Sequence, residues 1–120
     1  MGKRGRRRGA TRALRAPEST YADPEHGVLV LRGALTVSTR REYAAVREGS
    51  PLSQEDAWQR SAEFLFEHVA VRWEIGGAEP LTRQRELLGR YRLASSGERQ
   101  WIREVLRRHL AEHFPDVQAP

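Results

Sequence analysis

Trp58, Ala62, Leu65, Val69 and Trp73 recur at intervals of four, three, four and four residues. On an α-helix that spacing brings all five onto one face. Phe66 and Ala70 widen the face, and Ser53 with Asp56 three residues on supplies an N-terminal capping signal. From Ser53 to Trp73 the chain therefore reads as one long helix, running from Gln54 to about Glu74. It is the most apolar helical segment and holds two of the three tryptophans. Its wide face has to be covered, and the other segments are read as what covers it.

A chain of 120 residues is one domain's worth, with room for a modest core. Asp23-Pro24-Glu25-His26-Gly27 is a turn cluster ahead of Val28-Leu29-Val30-Leu31, the clearest strand pattern. Ser19-Thr20-Tyr21-Ala22 fits as its hairpin partner, and Ala34-Leu35-Thr36 as a resumption of the strand beyond Arg32 and Gly33. A lone hairpin is marginal, so this segment should lie on the helices, pair with another subunit, or do both. Thr39-Arg40-Arg41-Glu42 has capping-box spacing and opens a first helix with Tyr43 and Val46, which Gly49-Ser50-Pro51 ends. After Gly76-Gly77 and Pro80, Thr82 is placed to cap a third helix carrying Leu87, Leu88, Tyr91 and Ala94. Ser95 and Glu98 restart the pattern at capping-box spacing. Trp101, Ile102, Val105, Leu106, Leu110 and Phe114 then form a broad stripe that Pro115 closes. The expected fold is mainly α: a small bundle of four helices with one N-terminal strand or hairpin at about 19–36. The expected divisions are a disordered basic tail at 1–18, a single helical domain at 19–115 and a C-terminal tail at 116–120.

Charge is distributed unevenly. Lys3, Arg4, Arg6, Arg7, Arg8, Arg12 and Arg15 stand against Glu18 in the first twenty residues, a balance of +6 within a total of +5. The high isoelectric point thus describes the tail and not the body. All basic residues except Lys3 are arginine. That suits bidentate contacts to phosphate or carboxylate, but a GC-rich genome favours arginine codons regardless of function and accounts for the larger share. The tail has Gly and Arg without aromatic residues, so it reads either as an electrostatic arm for a polyanion or as a solvated tail. Further on, residues 42–79 sum to −5 and residues 83–108 to +5. Opposite halves of this kind attract within one chain or between chains, which leaves a homo-oligomer open.

Cysteine is absent, which excludes a disulfide framework and thiolate chemistry and fits a reducing, cytoplasmic setting. No apolar run has the roughly 18 residues of a membrane span, and the charged N-terminus has no apolar stretch after it. His109-Leu110-Ala111-Glu112-His113 matches the H-x-x-E-H pattern of inverted zinc peptidases, with both histidines on one helix face. Its context lacks a third ligand, and His109 borders the apolar stripe, so no metal and no other cofactor is expected. Glu55-Asp56 fits a helix first turn, and Glu63 with Glu67 a solvated edge. Neither pair has a nucleophile beside it, and no enzyme is expected. The last two helices, joined by Ser95-Ser96-Gly97, also fit a helix-turn-helix with Arg99, Arg103 and Arg107 along one side. With the basic arm, these make nucleic-acid binding the alternative function.

The order of elements from about Gly27 to Phe114 resembles the small tail assembly chaperones of long-tailed bacteriophages. The similarity runs through the extended segment reaching Leu35-Thr36, the charged helix start at Thr39-Arg40-Arg41-Glu42, and the long helix ending in an aromatic at Trp73. It continues through the break from Gly76 to Thr82 into two closing helices with Glu86-Leu87-Leu88 and Trp101-Ile102. The resemblance implies a non-enzymatic protein of the bacterial host cytoplasm that coats a tape-measure protein and hands it over to tail-tube subunits. The basic tail departs from that family. Partner contact is expected at Val28 and Val30 of the strand and at Phe64, Phe66 and Val71, which fall partly outside the main helical stripe.

Overall fold

The computed structural model describes residues 16–48 and 53–120. Strands β1 (Glu18–Asp23) and β2 (Gly27–Arg32) are followed by helices α1 (Val37–Glu48) and α2 (Gln54–Val69). Strand β3 (Ala70–Glu74) and helices α3 (Gln84–Arg92) and α4 (Ser96–His113) complete the order. The sheet is antiparallel in the order β1-β2-β3. The mainly α bundle expected from the sequence is thereby corrected to a helix-rich α+β fold. The basic arm expected to be disordered falls, up to Arg15, outside the described residues.

The hairpin has the expected pairing, with Ser19 opposite Leu31 and Ala22 opposite Val28. Its turn is held by Asp23, whose Oδ2 accepts the backbone N–H groups of Glu25 and His26, each at 2.9 Å. Gly27 follows at φ +97°, a left-handed conformation that suits glycine after a three-residue hairpin loop. The strand does not resume at Ala34. Instead Gly33 donates to the Pro17 carbonyl at 2.7 Å and the chain turns into α1. Thr36 caps that helix, its Oγ1 accepting the Thr39 N–H at 3.0 Å, so the cap lies three residues before the expected Thr39.

The largest correction concerns the long helix, which stops at Val69. Its C-cap Ala70 is extended at φ −70°, ψ 127°, and the next residues pair with β2. Val71-Arg72-Trp73-Glu74 alternates apolar and polar, which is strand periodicity. Trp73 opposite Leu29 is fully buried on the sheet's inward face. An interval of four residues, as from Val69 to Trp73, satisfies a helix face and a strand face alike. The register shifts between Val30 and Leu31, which pair with Arg72 and Ala70, leaving Val71 as the extra residue of a bulge.

Tyr21, Leu29, Leu31 and Trp73 present one sheet face to the helices. They join Leu65, Phe66 and Val69 of α2 and Ile102, Val105, Leu106 and Leu110 of α4 in one core. Ser53 caps α2 as expected, accepting the Asp56 N–H at 3.0 Å. Arg83, not Thr82, is the N-cap of α3, without a side-chain bond. Ser95 and Glu98 form the complete capping box of α4. The residues after α4 fold back: Tyr43 donates to the Gln118 carbonyl at 2.5 Å, and burial pushes its phenol up to about 12.

Candidate partner-binding site

The loop after β3 builds a hollow with a largely apolar lining. Gly76 and Gly77, at φ +56° and +75°, reverse the chain, and Ala78 donates to the Ile75 carbonyl at 3.0 Å. The returning segment then pairs with β3 through Leu81. Trp73 N–H donates to the Leu81 carbonyl at 3.0 Å, and Leu81 N–H to the Trp73 carbonyl at 2.9 Å. Between this loop and α3 lies a hollow of about 300 Å³ lined by Trp73, Ile75, Ala78, Glu79, Leu81 and Arg90. The Arg90 guanidinium sits 5.0 Å from the centre of the Trp73 ring and pairs with Glu98 at 2.5 Å. Burial alone would raise the Glu98 carboxyl, but the Ser95 N–H and the Arg90 charge together hold it below its ordinary value. Arg90 is therefore fixed as a wall over the buried Trp73, and Ile75, Ala78 and Leu81 are the apolar residues that remain accessible. Sequence reasoning took Gly76–Thr82 only as a break. The signal it contained was the apolar trio Ile75, Ala78 and Leu81 around two glycines.

The residues expected at a partner surface are not gathered in one place. Phe66 is fully buried, stacked on Tyr91 at 4.9 Å and edge-on to Trp73 at 5.9 Å, and offers a partner no surface. Phe64 is half-buried, 4.2 Å from the His68 ring and 6.2 Å from Tyr43. Val28 and Val30 are half-buried on the outward sheet face between Ala22 and Glu74 and between Thr20 and Arg72. Val71, half-buried at the bulge, lines a separate, polar hollow with Glu67, His68 and Gln84.

The arginines of the alternative reading are engaged with their own chain. Arg99 donates to the Arg92 carbonyl at 2.9 Å and lies 5.4 Å from the centre of the Tyr91 ring. Arg103 covers the Trp58 ring at 4.9 Å, approaches Glu55 at 3.9 Å and donates to the Pro120 carbonyl at 3.5 Å. Arg107 donates to the same carbonyl at 3.3 Å. A groove of about 360 Å³ beside them is lined by both signs of charge, Glu55 with Arg99 and Arg103. Lys3, Arg4, Arg6, Arg7, Arg8, Arg12 and Arg15 lie outside the described residues.

The H-x-x-E-H histidines are tied to the hairpin. His109 is buried; its Nε2–H donates to the Arg32 carbonyl at 2.7 Å, which leaves Nδ1 to accept the Tyr21 hydroxyl at 2.9 Å. His113 Nε2 is 2.8 Å from Ser19 Oγ. With both His109 nitrogens occupied, the pair joins α4 to β1 and β2 and does not form a metal cradle. Asp23, Glu25 and His26 bring ligand atoms within 4.8 Å of one another, but the Asp23 carboxylate already serves as the turn's acceptor, taking the His26 ring at 2.9 Å as well. Burial, aided by His113, pushes the His109 pKa below its ordinary value, against the pull of the Arg32 carbonyl and Glu112. The unfolded chain therefore accepts a proton that the folded ring resists. Stability is expected to be full above about pH 6.5 and to fall as pH drops from there through the lowered folded value. Urea midpoints across that range check this, and His109→Gln should remove the step.

No family model, curated protein or solved structure matches this chain. No helix among the described residues is long and apolar enough to cross a membrane.

Proposed function

We propose that this chain is a non-enzymatic assembly chaperone of the phage-tail kind, which holds an apolar segment of a tape-measure protein and yields it to tail-tube subunits in the host cytoplasm. The observation that supports this reading is the hollow between the β3 loop and α3, whose accessible apolar lining is Ile75, Ala78 and Leu81 above the fully buried Trp73. A hollow of that size takes one or two large apolar side chains, the anchor that dominates helix-in-groove and strand-in-groove contacts. Of the resemblance in element order, the break from Gly76 to Thr82 and the two closing helices α3 and α4 remain in support of the same class, whereas the strand ends at Arg32 and the long helix at Val69. Co-expression with the tape-measure protein tests it. The wild-type chain should keep that protein soluble and co-purify with it. Ala78→Arg, at an exposed loop position, should lower the recovered complex at least tenfold without altering the fold. Failure to co-purify sinks the reading. Salt-sensitive binding to duplex DNA without any protein partner favours the nucleic-acid arm instead.

A further inference from the structure

Strand β1 has a neighbour on one side only among the described residues, and the direction of its backbone groups can be assigned. The bond from Gly33 N–H to the Pro17 carbonyl makes residues 17 and 33 a hydrogen-bonded pair. Such pairs alternate with non-bonded pairs along an antiparallel ladder. In the register of Glu18 opposite Arg32, Ser19, Tyr21 and Asp23 turn their N–H and C=O groups toward β2. Glu18, Thr20 and Ala22 turn theirs away from the sheet. The side chains of these same three residues are exposed.

Edge strands are usually blunted by charged side chains, lysine above all, by proline, by a bulge or by inward charges; here exposed Glu18 is such a charge, at one end of the strand. Between Glu18 and Asp23 there is no basic residue, and the pairing with β2 has no register shift. Pro17 and Pro24 bound the strand and confine any added partner to this short span. At the opposite edge of the sheet, β3 is bridged to Leu81.

We propose that a second copy of this chain adds to the sheet through β1, antiparallel, about a two-fold axis at Thr20. The edge is self-complementary in that register. Thr20 faces the partner subunit's Thr20, and Glu18 faces the partner subunit's Ala22. All three outward residues form hydrogen-bonded pairs, and facing threonines are a favourable cross-strand combination. The other in-phase axes are worse. Centring on Ser19 or on Tyr21 keeps only two of the three outward residues opposite another strand residue, the third meeting the partner subunit's Ala16 or the partner subunit's Pro24 beyond the strand. Centring on Glu18 sets two carboxylates opposite each other, and centring on Ala22 sets Thr20 against the partner subunit's Pro24, which has no N–H to give. Among the described residues β1 is the one edge without a neighbour, β3 being bridged to Leu81 at Trp73, so the assembly closes as a dimer with a six-stranded sheet and does not propagate. This proposal is independent of the chaperone reading.

The chain has no cysteine, so a single introduced thiol reports the axis. Facing residues of a hydrogen-bonded antiparallel pair have Cα atoms about 5.5 Å apart, inside the roughly 4.4–6.8 Å range of a disulfide. Thr20→Cys should therefore give a covalent dimer under mild oxidation. Ala22→Cys should not, because its copies would stand four residues apart along the strand, about 13 Å. Thr20→Pro removes one outward N–H and keeps every bond to β2, so it should weaken dimerisation at least tenfold in sedimentation equilibrium while circular dichroism stays unchanged. A wild-type chain that sediments as a monomer up to about 1 mM, the weak end of specific association, overturns the proposal. So does equal cross-linking of T20C and A22C, or a dimer that Thr20→Pro leaves intact. A dimer lost in favour of pairing with a foreign strand would likewise exclude the second copy as occupant.

Discussion

Trp73→Ala is expected to cost about 3–5 kcal/mol of folding free energy, the range for removing a buried aromatic. Trp73 is 0 % exposed and sits where α2 gives way to β3. It opposes Leu29 across the ladder, meets Phe66 edge-on, lies beneath Arg90, and donates its Nε1–H to the His26 carbonyl at 3.1 Å. Alanine at this position leaves a cavity shared by the sheet and α2, and it releases the hairpin turn from its hydrogen bond. Domains of this kind hold roughly 5–15 kcal/mol in total, so the variant should lie close to unfolding in water. Urea titration followed by far-ultraviolet circular dichroism measures the change. Trp58→Ala is the comparison, because Trp58 is only half-buried and should lose markedly less. Equal losses at the two tryptophans would mean that the junction is not the keystone of the core.

Gly27→Ala is expected to cost about 2–4 kcal/mol, from the left-handed conformation together with overpacking. A Cβ at Gly27 would stand 2.2 Å from the Glu74 carbonyl oxygen, and φ there is +97°. The obstruction is backbone of β3, which cannot rotate away as a side chain can. Gly76 separates the two causes: its φ is +56°, but nothing lies within 4 Å of the added atom. Gly76→Ala should therefore lose only the conformational part, about 1–2 kcal/mol. If both variants lose the same amount, the close approach of the turn to β3 contributes nothing. Thermal unfolding of the pair decides between these outcomes.

Local signals in the sequence served well where a short-range interaction decides the structure. Ser53 with Asp56 and Ser95 with Glu98 cap their helices as their spacing indicates, and Asp23 to Gly27 makes the hairpin turn. The Thr36 cap was missed because Thr39 offered the same chemistry three residues later, with Glu42 placed to complete the box. β3 was missed because its apolar residues fall on multiples of both periods. The Val71-Arg72-Trp73-Glu74 alternation was present, but it counts as a strand only if β2 lies alongside, and no local pattern states that. Phe66 was misjudged for a related reason: the cover it needed came from Tyr91 and Trp73 together. The pattern around His109 places it beside apolar residues, but its partners, Tyr21 and the Arg32 carbonyl, are far away in sequence. The apolar hollow was hidden in a segment whose glycines and proline announce only a turn.

The two histidine links also fix an order of events during synthesis. Ser19 bonds to His113, 94 residues later, Tyr21 to His109 across 88, and Arg32 to His109 across 77. The hairpin leaves the ribosome well before α4, the helix that satisfies its tyrosine and helps to cover Leu29 and Leu31. Until α4 emerges, the nascent hairpin lacks the part of its cover supplied by Ile102, Val105, Leu106 and Leu110 and the hydrogen-bond partner of Tyr21. Long-range closure of this kind makes folding late and keeps the early chain vulnerable to association with its neighbours. A translation-arrested chain ending before Ser95 should therefore be protease-sensitive at β1 and β2, and one extending well past His113 should not.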